Sequence, residues 1–344
     1  MNDVARKAQN TFLHMVATSS LRRAVALLAL GCLAACAAEP EPADQEETQE
    51  SGFSLCRSLP ESWMKTRRLS GGLSALNVQL RVGEALPSNG APVADILYMH
   101  GFSDRMDNHK PLFDEWTKRG ARVVSFEYPS HGETCGPGLS LFTVQDLTAL
   151  AVTVEKEMSE DPERPLYVAG WSTGGLIATR LTQGAASLSR PIAGAMLFAP
   201  GVDVQLVLGA VTLDSLTSDP SPPHTGPISP TRPVTYPNFS GSLLVQATYA
   251  RWQSIPSTIP TLLFTGGDTE DTYANTPGLK KFVVDQRSGG ANITGVGCPG
   301  GKHELDNEAE PIGSTVRTMA GEFLDAAIAG DAYIAAAHPG CEAF

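Results

Sequence analysis

Gly170-Trp171-Ser172-Thr173-Gly174 sets a serine between two glycines. The apolar run Leu166-Tyr167-Val168-Ala169 leads into it, and Gly175-Leu176-Ile177-Ala178-Thr179-Arg180 leads away with helical composition. Strand, sharp turn and helix form the setting in which a serine hydroxyl stands exposed on a strained turn as a nucleophile. The flanking glycines are needed because a Cβ there would collide with the neighbouring strand and helix. A serine hydroxyl attacks poorly at neutral pH unless a base takes its proton. With an elbow of this kind the chain order is serine, then acid, then histidine. His14, His100, His109 and His131 precede the serine, His224 sits in a Pro/Ser-rich stretch, and His338 lies in the final tail. His303 follows the strand-like Ala291–Val296 and a Gly-rich turn, and opens a helix-like stretch from Glu304 to Ala327. A loop between the last strand and the last helix suits the base.

The acid should follow the strand before that one. Thr261-Leu262-Leu263-Phe264-Thr265 reads as a buried strand, and Gly266-Gly267-Asp268-Thr269-Glu270-Asp271 follows it. Asp268 is expected to be the acid because it falls at the end of the strand, with Asp271 as its rival and Glu270 behind both. The carboxylate must hold the imidazole in one orientation and stabilise the imidazolium. The tetrahedral intermediate needs two backbone N–H donors. Thr173, next after the nucleophile, supplies one. The other is expected from Phe102, in the loop His100-Gly101-Phe102 after the strand Asp95–Met99, where Gly101 lets the backbone approach substrate. His100 reads as a structural hydrogen-bonding residue.

These groups need a scaffold of alternating elements. Val78–Val82, Ile96–Met99, Arg122–Phe126, Leu166–Ala169, Gly194–Phe198 and Thr261–Phe264 read as strands, the later ones as buried parallel strands. Asn108–Arg119 and Val144–Met158 carry apolar residues at helical spacing. Such alternation predicts an α/β fold with a mostly parallel sheet covered by helices on both faces. Residues 203–258 interrupt the pattern with seven prolines between Pro220 and Pro237 and apolar residues at both ends, Leu206, Leu208, Leu243, Leu244, Tyr249 and Trp252 among them. An excursion of that length within a compact domain is usually functional or disordered.

The motifs taken together resemble the α/β-hydrolase superfamily, and within it the monoacylglycerol lipase, lysophospholipase and serine-aminopeptidase-like branch. The matching pieces are Met99-His100-Gly101-Phe102, Arg122–Phe126 leading to His131-Gly132, Gly170–Gly175, Ala195–Pro200, Gly266-Gly267-Asp268 and His303-Glu304-Leu305-Asp306-Asn307-Glu308. They span roughly residues 64 to 327. The resemblance implies hydrolysis of lysophospholipid, monoacylglycerol or other acyl esters through an acyl-enzyme, and a lid over the acyl pocket within 203–258. Cleavage of amides by a proline-type aminopeptidase is the enzymatic alternative, and a non-catalytic binding lipoprotein on the same fold is the other. The family usually has His before the serine, where this chain has Trp171, which is expected to reshape the pocket wall. Pro129-Ser130 likewise replaces the usual Arg-Gly before His131-Gly132.

The N-terminal 35 residues read as an export signal: Arg22-Arg23, then Ala24–Leu30, then small residues. Leu33-Ala34-Ala35-Cys36 resembles the lipobox of bacterial lipoproteins, which implies cleavage before Cys36 and a diacylglycerol on its thiol. Ala37 after that cysteine resembles an outer-membrane sorting signal, so the expected place is the periplasmic face of the outer membrane. Residues 36–52, acidic and without large apolar side chains, read as a disordered tether, and 53–344 as the catalytic domain. The formal net charge is −12. Residues 1–35 are net basic, so the rest is more acidic still, which argues against nucleic acid or charge-driven lipid binding as partner. No cofactor is implied, no C-x-x-C or His-rich cluster suggests a metal, and a monomer is expected. Export permits disulfides. Four cysteines, Cys56, Cys135, Cys298 and Cys341, allow three pairings. Their placement favours Cys135–Cys298 at the catalytic end and Cys56–Cys341 near the termini.

Overall fold

The computed structural model describes residues 61–73, 76–102, 104–203, 237–271 and 273–344. The strands are β1 Lys65–Leu73, β2 Leu76–Ala85, β3 Ala94–Met99, β4 Ala121–Phe126, β5 Leu166–Trp171, β6 Ile192–Phe198, β7 Thr261–Thr265, β8 Ile293–Gly297 and β9 Glu342–Ala343. They form one sheet in the order β1-β2-β4-β3-β5-β6-β7-β8-β9. From β4 through β3 to β8 every neighbouring pair is parallel. β1, β2 and β9 join antiparallel at the edges. β3, β4, β5 and β7 are buried along their whole length. That is how the apolar runs in the sequence behave when a parallel sheet is covered on both faces.

The helices are α1 Lys110–Lys118, α2 Val144–Met158, α3 Thr173–Thr182, α4 Pro237–Trp252, α5 Thr276–Ser288 and α6 Ile312–Ala329. α2 starts where its sequence says it should. Thr143 caps the backbone N–H of Asp146, and the Asp146 carboxylate accepts from the Thr143 N–H in return. Leu147, Leu150, Ala151 and Val154 then recur at helical spacing and are buried. α6 is shorter at its start than the stretch from Glu304 predicts. A 3₁₀ turn, Leu305–Asn307, comes first, and the helix begins only after Pro311. Proline disfavours helical backbone in the residue before it, so the histidine loop stays a loop. Among the described residues no helix is long and apolar enough to cross a membrane.

The cysteine pairing differs from expectation. Cys298 is bonded to Cys341, their Cα atoms 4.1 Å apart. The tail returns as β9 against Val296 and Gly297 of β8, which carries Cys341 to the residue that follows the strand. Cys135 instead exchanges backbone hydrogen bonds with Gln79 of β2. Five strands separate β2 from β8, so Cys135 has no access to Cys298. Cys135 is itself disulfide-bonded. Cys56, Cys36 and the expected export signal and tether lie outside the described residues. So do residues 204–236, the greater part of the expected insertion. Its end is helix α4, which packs against α2 and α3.

Candidate active site

β5 ends at Trp171 and α3 begins at Thr173, so Ser172 is the whole turn between them. Its φ of 52° and ψ of −113° lie where an L-residue rarely sits. The strain is held by backbone bonds: the Ser172 N–H donates to the Phe198 carbonyl at 3.0 Å, and the Ser172 carbonyl accepts from Leu176 and Gly201. The glycines are there for room. A Cβ on Gly170 would sit 2.5 Å from the Gly174 carbonyl, and one on Gly174 would overlap the Met99 carbonyl. Thr173 is buried at the first position of α3, so its N–H belongs to the unpaired donors of a helix N-terminus.

His303 lies in the loop after β8 and is buried. Its Nε2 accepts from the Ser172 hydroxyl at 2.9 Å, and its Nδ1 faces the Asp271 carboxylate at 3.2 Å. Asp271 is buried, and its Oδ1 accepts the backbone N–H groups of Tyr273 and Ala274 at 3.0 and 2.7 Å. The Tyr273 ring stacks on the imidazole.

Asp268 does not reach the imidazole, so the choice of Asp268 over Asp271 is corrected. Its side chain is 57% exposed and takes the Lys280 ammonium at 2.8 Å. The cause is the turn after β7. Gly267 donates to the Gly301 carbonyl of the histidine loop, and Asp271 N–H reaches back to the Gly267 carbonyl. The chain therefore folds over at Gly267, sending Asp268 outward and bringing Asp271 under His303.

Phe102 sits where the sequence places it, after β3, and its ring stacks on Phe239 of α4 with centroids 6.0 Å apart. Gly101 also makes room within the protein. A Cβ on it would overlap the Trp171 indole. Trp171 is buried rather than part of an open pocket wall. Its Nε1 donates to the His303 carbonyl at 2.7 Å, so the tryptophan in place of histidine braces the histidine loop. His100 is structural, as its sequence position suggests: it pairs with the Gly101 carbonyl, and burial drives it down to about 4, keeping it neutral.

One group of functional candidates escaped the sequence reading. Asp104, His109 and Glu304 bring one ligand-type atom each within 4.8 Å of one another. Both His109 nitrogens already face carboxylates, Asp104 and Asp306, at 2.7 Å. A cation there would first have to displace a proton. The signal was present in the His-Glu-Leu-Asp-Asn-Glu run, but nothing in it names a partner 197 residues away.

Residues 90–221 match the family model described as serine aminopeptidase, S33. No curated protein matches the chain. Among solved structures, the monoacylglycerol lipase of Paleococcus ferrophilus is 18% identical, with a TM-score of 0.56, over 72% of this chain and 99% of that one. A soluble variant of monoglyceride lipase from Saccharomyces cerevisiae, solved with a substrate analogue, is 17% identical, with a TM-score of 0.57, over 84% and 99%. A thermostable carboxyl esterase from Bacillus coagulans, solved with glycerol, is 17% identical, with a TM-score of 0.54, over 77% and 99%. At such identities the likeness speaks to the fold, and the fold is that of the α/β-hydrolases.

Proposed function

We propose that this chain of α/β-hydrolase fold is a serine hydrolase that cleaves carboxylic esters of acyl chains, of the lysophospholipid or monoacylglycerol class. The observation that carries the reading is the line Ser172 Oγ, His303 Nε2, His303 Nδ1, Asp271 carboxylate, each step at hydrogen-bond distance. In this reading Ser172 Oγ attacks the ester carbonyl as its proton passes to His303 Nε2. Asp271 keeps Nδ1 protonated, so that Nε2 is free to accept. The N–H groups of Thr173 and Phe102 stabilise the oxyanion. His303 then protonates the leaving alcohol, and water repeats the sequence on the acyl-enzyme to release the acid. No cofactor takes part in these steps.

The apolar contact of Phe239 with Phe102 supports a roof over the oxyanion loop to which α4 contributes. Leu243 is only half buried and packs on the core. Phe239 is therefore the α4 residue chosen to test the roof, because its ring stacks on that of Phe102. The lipobox-like Leu33-Ala34-Ala35-Cys36 supports an exported, lipid-anchored enzyme, which would work at the membrane that holds its substrate. Ser172→Ala should abolish fluorophosphonate labelling and p-nitrophenyl ester hydrolysis while the protein stays folded. Turnover retained in that variant would overturn the assignment. The family model's description favours amide cleavage as the second reading. Aminoacyl p-nitroanilides turned over faster than acyl esters would establish it instead.

A further inference from the structure

Behind the Ser172–His303 pair lies a second histidine that the proposed reaction leaves unused. His109 is fully buried, with Nε2 2.7 Å from Asp104 Oδ2 and Nδ1 2.7 Å from Asp306 Oδ2. Each carboxylate accepts, so each nitrogen must carry a proton and the ring is an imidazolium. Burial opposes that charge, but Asp306 and Asp104 outweigh it and hold His109 well above its ordinary value. For Asp104, burial pushes up and His109 pulls down, and it ends at about 2.

The other ionisable groups facing this ring come from three elements. Glu304, in the histidine loop, is raised by burial and by Asp104, which favours its neutral form. Tyr98 of β3, whose ring lies 4.8 Å from the imidazole, is likewise raised by burial and by Asp306. His100, in the oxyanion loop, is lowered by burial and stays neutral. The charges that remain against the ring are the two aspartates.

Those two belong to the two loops that must stay in register. Asp104 is in the loop after β3, and the Gly101 N–H donates to its Oδ2 at 3.3 Å. Its Oδ1 accepts from Asn108 at 2.7 Å. Asp306 lies three residues after His303. A second, neutral tie runs beside the first: Asn307 Nδ2 donates to the Asn108 carbonyl at 3.0 Å. Trp171 fills the space between the two histidines, its ring 6.0 Å from His109 and 5.2 Å from His303.

We propose that His109 is a positioning residue, a buried cation that pins the oxyanion loop to the histidine loop through Asp104 and Asp306. The pin sets the distance between the oxyanion donors and His303 across the reacting carbonyl. It rests on the hydrolase reading above. Buried ion pairs add little net stability but are costly to break from one side, so their use is geometric. A pin of this kind acts in the transition state, where donor positions matter most, and not in ground-state acyl binding.

The test uses the full chain with His109→Gln, Asp306→Asn and the two combined. Active sites are counted by fluorophosphonate titration, so that misfolded protein drops out. Expected for His109→Gln is a fall in kcat per titrated site of about 10- to 100-fold, the scale of a small misplacement of catalytic groups. KM for a short acyl ester should stay within about twofold, and the inhibition constant of an alkyl boronic acid, which forms a tetrahedral adduct on Ser172, should weaken along with kcat. The combined variant should lose no more than His109→Gln alone, because both break the same pin. Wild-type kcat and boronate affinity per titrated site in His109→Gln would overturn the proposal, as would fully additive losses. Asp306→Asn, which removes one arm and no bulk, decides the matter by the same readouts if His109→Gln does not fold. A wild-type protein that neither labels at Ser172 nor cleaves esters would overturn the hydrolase reading itself. Normal labelling with unmoved kcat in the variants would overturn only the pin.

Discussion

Replacing Asp271 by asparagine tests the acid with little change of volume. In the native site both carboxylate oxygens stand 3.2 Å from His303 Nδ1, and Oδ1 also receives two backbone N–H groups. An asparagine must keep its one oxygen on those two N–H donors, because turning it would set NH₂ against N–H. Its amide NH₂ is then left facing Nδ1. The imidazole responds by moving its proton to Nε2, so that Nδ1 can accept. That tautomer presents N–H to the Ser172 hydroxyl and cannot act as base. The geometry survives while the chemistry fails, and kcat should drop about 10³- to 10⁴-fold, or about 4 to 5.5 kcal/mol of barrier. Asp268→Asn is the internal control. Asp268 is exposed and pairs with the half-exposed Lys280, and a surface pair of that kind is worth about 0 to 1 kcal/mol. Its kcat/KM should stay within about twofold. The assay is kcat/KM for a p-nitrophenyl ester with both variants, corrected by active-site titration. An Asp268→Asn defect as large as that of Asp271→Asn would refute the reasoning, as would an Asp271→Asn enzyme near wild type.

Three further outcomes follow from the site and its surroundings. The folded His109 is raised above an unfolded value near 6.5. Its contribution to stability is therefore complete below about pH 6.5 and lost as pH rises through the raised folded value. The wild-type Tm should fall across that alkaline range while His109→Gln, measured by the same thermal melts, should not share the decline. Phe239→Ala removes the ring against Phe102, and kcat/KM should fall more for octanoyl than for acetyl p-nitrophenyl esters; equal losses would exclude a roof role. Cys36→Ser should abolish metabolic labelling by palmitate and release the enzyme from membranes, and an unlabelled wild type would remove the lipobox reading.

The core of the fold was legible because buried parallel strands are nearly continuous apolar runs, and a doubly covered sheet leaves little choice about their faces. Val144–Met158 is bounded by the same residues in sequence and structure, since its capping threonine and apolar spacing are both local. Helix α5 carried a comparable signal. Pro277 stands in its first turn, and Leu279, Phe282 and Val283 are buried at helical spacing, yet the preceding Gly/Asp-rich loop draws the eye instead. The hairpin of β1 with β2 was harder to see, because the adjacent Arg67 and Arg68 in the middle of its edge strand point to opposite faces and break the apolar alternation.

The candidate site divides along the same line between local and long-range causes. Ser172 and His303 were legible because each sits in a local pattern whose chemistry is fixed by its own neighbours. The choice between Asp268 and Asp271 was not local. It depends on bonds made at Gly267, whose N–H ties the acid loop to the Gly301 carbonyl of the histidine loop and whose carbonyl accepts the Asp271 N–H, so that Asp271 turns inward. Trp171 and His109 carry the same lesson further. As sequence, one looks like a departure from a motif and the other like a histidine too early in the chain to matter. As structure, each reaches the His303 loop, Trp171 by an N–H to the His303 carbonyl and His109 by a charge shared with Asp306. Tryptophan needs an acceptor for its N–H once it is buried, and the loop carbonyl provides it. His109 needs two anions to remain charged in the interior, and the two loops provide one each. A buried cation between two loops can be satisfied only when both are in place, so the cost of leaving it unpaired becomes a force that holds the two halves of the site together.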